Sequence, residues 1–97
     1  MIKENYIPLL TLCTHYKVEM DFIYDLSEND LLEIIYIEES PCIHQDVVAR
    51  LEKMLRLHQD LEINLAGIDA VFNLLNQVDV LQGEVRSLKN RLKTFED

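Results

Sequence analysis

The sequence predicts a mainly α protein: a helix-turn-helix with a small β-hairpin wing, then a third helix and a long C-terminal dimerisation helix. Three observations predict it. Apolar residues recur at helical spacing through most of the chain, a β-branched and aromatic run occurs once at Ile34-Ile35-Tyr36-Ile37, and the stretch from Val71 to Phe95 keeps an unbroken seven-residue repeat. Two domains are expected, residues 1–63 for the helix-turn-helix, wing and third helix, and residues 64–97 for a coiled-coil-like helix.

Each element has its own signal. Pro8 suits a first helical position, and Leu9, Leu12 and Cys13 repeat at i, i+3, i+4, so a short helix is expected from Pro8 to His15. Two turns cannot stand alone in water. After a break at His15-Tyr16-Lys17, Val18, Phe22, Ile23 and Leu26 form a second apolar stripe that leaves Glu19, Asp21, Asp25 and Glu28 toward solvent. Ile34 to Ile37 reads as a strand, with Pro41-Cys42-Ile43 returning as its partner. A third helix is expected from about His44 to Leu61, its apolar face made by Val47, Val48, Leu51, Met54, Leu55, His58 and Leu61. Asn64 is placed to cap the last helix, with Gly67 inside its first turn.

In that last helix Val71, Val78, Val85 and Leu92 occupy a, and Leu74, Leu81, Leu88 and Phe95 occupy d. Branched residues at a with Leu at d favour two strands. Ile68, Phe72 and Leu75 widen the apolar surface only at the helix start, which is expected to pack on the chain's own helices; the polar positions beyond Asn76 leave a narrow stripe for a second copy. The other reading is a helix folded back on its own domain. A parallel pair would set Glu84 against Lys89 and Arg91 against Glu96, but exposed pairs contribute only ~0.2–1 kcal/mol and leave the orientation open.

Charge narrows the function. The 97 residues carry 9 basic and 18 acidic side chains, a net of −9. Nucleic-acid affinity rests largely on basic side chains replacing counterions around phosphates, so nucleic acid is an unfavoured partner. From Met1 to Ile43 nine acids face two bases, a net of −7, so an electrostatic partner should dock on the first half. The candidate surface is acidic and comprises Glu19, Asp21, Asp25, Glu28 and Asp30. A merely solvated helix face is the alternative. A chain this short buries roughly 60–65 % of its unfolded surface, and a second subunit would add to that. No apolar run approaches the ~18–20 residues that span a bilayer, no secretory signal is evident, and two cysteines make no disulfide framework, so a cytoplasmic homodimer with reduced thiols is expected.

Other chemistry is sparse. Cys13-x-His15 and Cys42-x-His44, with His58, hold soft metal ligands, but Cys13 and His15 would stand about 200° apart on a helix, and core or capping roles fit these residues better. No nucleophile, phosphate-loop or metalloprotease motif occurs, so no enzyme, cofactor or metal is expected. Tyr6, Tyr16, Tyr24 and Tyr36 are candidate interface anchors or half-buried core residues.

Asp46-Val47-Val48-Ala49-Arg50-Leu51, the run Leu57 to Ile68, Leu74-Leu75 and Leu88-Lys89-Asn90-Arg91-Leu92 resemble the C-terminal two-thirds of the CbpM-type chaperone modulators, which are MerR-like helix-turn-helix proteins. Cys13-Thr14-His15 followed by Val18 is similar to that family's first helix. Lys17 stands where the family usually has Gly at the turn, and the Gly-Leu that commonly precedes the wing is missing. The resemblance implies a MerR-like winged fold and a non-enzymatic modulator. It would bind the J-domain of a DnaJ-like, CbpA-type co-chaperone and block its stimulation of the Hsp70 partner, DnaK. A MerR-like DNA-binding transcriptional regulator is the alternative, although Phe22-Ile23-Tyr24-Asp25-Leu26-Ser27 would bring Asp25, with Asp21 beside it, against phosphates. A plain dimerisation module is a third reading.

Overall fold

The computed structural model describes residues 5–96, of which the side chain of residue 96 is left aside. The chain divides into two compact units, Met1–Leu65 and Ala66–Asp97. The fold class is the expected one: mainly α, with a small antiparallel sheet and a long C-terminal helix.

In the first unit, strand β1 (Tyr6–Pro8) runs directly into helix α1 (Leu9–Tyr16). The sequence reading made Pro8 the first helical residue and missed β1. Pro8 instead has extended backbone, φ −61° and ψ 141°, and lies opposite Cys42 at the sheet edge, where its missing N–H is tolerated. Lys17 ends α1 in the left-handed conformation, φ 56°, and the Val18 N–H reaches back to the Cys13 carbonyl at 3.1 Å. The turn is thus closed by a lysine in the left-handed conformation.

Helix α2 (Met20–Glu28) buries Ile23 and Leu26. It closes through Asp30, also left-handed at φ 59°, so that the Leu31 N–H bonds the Leu26 carbonyl at 3.0 Å and Leu31 enters the core. Asp30-Leu31 thus closes α2 before the wing with a left-handed residue and a buried leucine.

The expected hairpin forms from β2 (Ile35–Ile37) and β3 (Ser40–His44), with β3 central in the order β1-β3-β2. Tyr36 pairs with Pro41 and Ile37 with Ser40, so the connection is the two residues Glu38-Glu39. Both have positive φ, 51° and 68°, as a type I′ turn demands; Asn-Gly is the usual solution. A single 3₁₀ turn, Gln45–Val47, leads into α3 (Val48–Leu61). The helix expected from His44 therefore starts four residues later, because the His44 ring caps that turn by accepting the Asp46 N–H at 3.1 Å.

Leu51, Met54 and Leu55 of α3 join Leu9, Leu12, Ile23, Leu26 and Ile43 in the core. Leu61 does not: it is 63 % exposed, because α3 ends at that residue in the left-handed Glu62. The Ile63 N–H caps the Leu57 carbonyl at 3.1 Å, and the His58 Nδ1 lies 3.2 Å from the Ile63 carbonyl, which it can only approach as a donor. No buried side-chain polar atom lacks a partner among the described residues.

Helix α4 (Leu65–Glu96) has 32 residues and is roughly 48 Å long at about 1.5 Å per residue. Asn64 immediately precedes it and Gly67 falls in its first turn, as expected. Ile68 and Phe72 are buried and Val71 is half-buried. From Leu74 onward every a and d residue is exposed, rising to 87 % at Phe95. Leu75, expected to be covered, is exposed, because it lies three positions past Phe72, beyond the buried turns. Val80 is exposed as well and stands off the heptad seam.

Candidate partner-binding surface

Helix α2 sorts its residues by angle. Asp21, Asp25 and Glu28 follow i, i+4, i+7 and so lie within about 60° of one another on one side, while Ile23 and Leu26 turn inward. All three acids are exposed. Glu19 precedes the helix as its N-terminal flanking residue, and Asp30 follows it as the left-handed closing residue; both are exposed. The structure therefore gathers three of the five candidate acids into one stripe and sets the other two at its ends. Asp21 in the first turn also meets the positive end of the helix dipole.

The stripe is held on a braced helix. On one side Phe22 stacks on His58 of α3, with ring centroids 4.2 Å apart and planes 18° from parallel. Elsewhere on α2, Tyr24 forms a side-chain hydrogen bond with Tyr36 of β2, and this bond, ahead of burial, holds its phenol above the usual tyrosine range. Tyr16 is raised too, first by burial and then by a hydrogen bond with Glu52, which ties the end of α1 to α3. The Gln59 amide reaches the Tyr16 carbonyl at 3.5 Å. Of the four tyrosines weighed as anchors, Tyr36 is the exposed one; Tyr6 is half-buried with its ring edge-on to His44, centroids 4.9 Å apart.

Leu10, 68 % exposed on α1, is an apolar surface residue that sequence reasoning missed. Its signal was present, since it stands about 100° off the Leu9, Leu12, Cys13 stripe.

The thiols do not assemble a site. Cys42 is buried in the sheet, and Cys13 is half-buried, where burial raises its pKa and keeps it a protonated, weakly nucleophilic thiol. Among the described residues no group of three or more His, Cys, Asp or Glu is arranged to hold a metal ion, and no helix is long and apolar enough to cross a membrane.

The arrangement is a braced helix in the second position of a helix-turn-helix, with carboxylates along one exposed side. The profile described as MerR HTH family regulatory protein matches residues 7–90. The chain belongs to that MerR helix-turn-helix family. Within it, the chain is similar to the chaperone modulatory protein CbpM of Pseudomonas entomophila (strain L48), 28 % identical over 90 residues that cover 92 % of this chain and 89 % of that protein. The CbpM proteins of Pseudomonas putida strains W619 and F1 are each 27 % identical over the same shares of both chains. No solved structure matches. As a MerR-like regulatory protein similar to CbpM, the chain carries that family's helix-turn-helix and wing with four left-handed non-glycine residues, Lys17, Asp30, Glu38 and Glu39, in its turns.

Proposed function

We propose that this protein is a non-enzymatic chaperone modulator that binds the J-domain of a DnaJ-like, CbpA-type co-chaperone and so inhibits its stimulation of Hsp70. The observation that carries the reading is the acidic stripe of Asp21, Asp25 and Glu28 on the helix that a DNA-binding relative would present to phosphates. Carboxylates there repel DNA and attract a basic protein surface, and complementary charge acts chiefly on association rate and on partner choice. J-domains present a basic helix to Hsp70, and a modulator that covers it leaves Hsp70 without its stimulus. The similarity to proteins named chaperone modulatory protein supports the same class.

Two copies act together in this reading. The row Val71, Leu74, Val78, Leu81, Val85, Leu88, Leu92 and Phe95 forms the seam of a homodimer, since a length of exposed valine and leucine at a and d spacing is removed from water by a second identical helix.

Titration calorimetry of the intact chain against a J-domain tests the proposal. Heat of binding at micromolar concentration in low salt, declining as salt rises, is expected; its absence sinks the proposal. The family's helix-turn-helix favours DNA regulation as the second reading. That reading requires an electrophoretic shift with a steep salt dependence.

A further inference from the structure

Beside the acidic stripe the surface is hollowed by a trough of about 540 Å³. It arises from how α2 ends. Asp30 turns the chain in left-handed conformation, Leu31 and Leu32 descend into the core, and Glu33 and Ile34 climb out again toward β2, so the segment opposite the start of α3 is concave. Half-buried Ile34 and Val47 give it an apolar lining, while Asp30 and Glu33 on one wall face a single base, Arg50, on the other.

We infer that this trough seats a basic, amphipathic helical segment of a partner protein, taking an aliphatic side chain against Ile34 and Val47 and a neighbouring lysine or arginine against Asp30 and Glu33. This deepens the reading above and rests on it for the partner's identity, not for the chemistry. The volume lies within the ~300–1,000 Å³ typical of binding clefts, yet the trough is open and its lining mixes polar and apolar atoms, which fits an inserted pair of side chains from a larger surface. Charge decides the sign. Two carboxylates outweigh one guanidinium locally, and the surrounding stretch from Met1 to Ile43 carries −7, so a cationic segment is attracted and an acidic one repelled. On α2, Ser27 lines the trough and lies about 120° round from Asp21, so the trough is set off from Asp21 and Asp25 and meets the acidic surface at Asp30.

The test maps amide chemical shifts on the isotope-labelled full chain during titration with two helical peptides of about 18 residues, long enough to hold helix, one with lysine and leucine at i, i+3, i+4 spacing and one with glutamate replacing lysine. Shifts at Ser27, Ile34 and Val47 with the lysine peptide alone are expected, and the Asp30→Asn, Glu33→Gln double variant should weaken that binding roughly tenfold. Asn tolerates the left-handed backbone at position 30, and the variant's unchanged urea midpoint checks that it remains folded. Lysine-peptide shifts confined to Asp21, Asp25 and Glu28, absence of binding, or binding of the glutamate peptide in the trough each overturns the inference. A J-domain that fails to bind while the lysine peptide fills the trough removes the proposed function and leaves the trough standing.

Discussion

The two units of this chain use the same residue types in opposite ways. Met1–Leu65 carries 13 acids and 5 bases, a net of −8, and encloses most of its leucines, with Leu10 and Leu61 exposed; Ala66–Asp97 is nearly balanced, with 5 acids and 4 bases, and from Leu74 onward displays its leucines. One unit is a finished core with a charged exterior. The other carries an exposed apolar row, which the proposed homodimer would cover. The contrast teaches that net charge and apolar content, averaged over the chain, hide a division of labour that only position reveals.

Leucine truncation gives the largest test of that contrast. Leu51→Ala, at a fully buried site, should lower stability by about 2–5 kcal/mol in urea unfolding. Leu88→Ala should cost under about 0.5 kcal/mol in a monomer but well above that in a dimer, so the ratio of the two losses reports whether α4 is covered in solution. Replacing Val78, Leu81 and Val85 by serine or glutamine sharpens the same point: sedimentation should show monomers, and a wild type that is already monomeric breaks the seam assignment.

Charge reversal comes next. Asp21→Lys with Asp25→Lys alters exposed residues, so folding should change by about 1 kcal/mol or less per site, most at Asp21 in the first turn, whereas J-domain affinity should fall more than tenfold and lose its salt dependence. Unchanged affinity would return the stripe to simple solvation.

The helical parts of the fold were legible because their period survives in short windows. Leu9, Leu12 and Cys13, or the steps from Val71 to Phe95, need no distant partner to be recognised. Strand β1 was not legible, since Tyr6-Ile7-Pro8 is too short for an alternation and exists by pairing with His44, Ile43 and Cys42 far along the chain. Leu61 and Leu75 carry the helical pattern past the point where anything covers them, and pattern alone cannot mark that limit. The turns misled in another way. Lys17 and Asp30 hold left-handed backbone without glycine, so the usual signal was absent while the geometry was present. As for the site, the acidic stripe follows from spacing on one helix, whereas the trough joins residues 27–34 to residues 47 and 50 and required the fold.

Smaller effects probe the first unit's turns and braces. Glu62→Gly should stabilise by about 0.5–1 kcal/mol in urea, because a left-handed residue with a Cβ is strained there and glycine is not. The smallest effect concerns alkaline pH. Tyr16 and Tyr24 titrate above the ordinary tyrosine value in the folded protein, so their contribution is whole below about pH 10 and fades as the pH rises through the folded values. Stability measured from about pH 8 to about pH 11 should therefore decline, and Tyr24→Phe should flatten the decline.

The row of uncovered valines and leucines on α4 has one more consequence. If a twin completes that row, as proposed, the protein has no single melting temperature: its midpoint climbs with concentration, by the equivalent of about 2.7 kcal/mol when the free partner stands at about 100 times the dissociation constant. In a cell, the abundance of the protein would then set both how much of it is assembled and how long each copy survives.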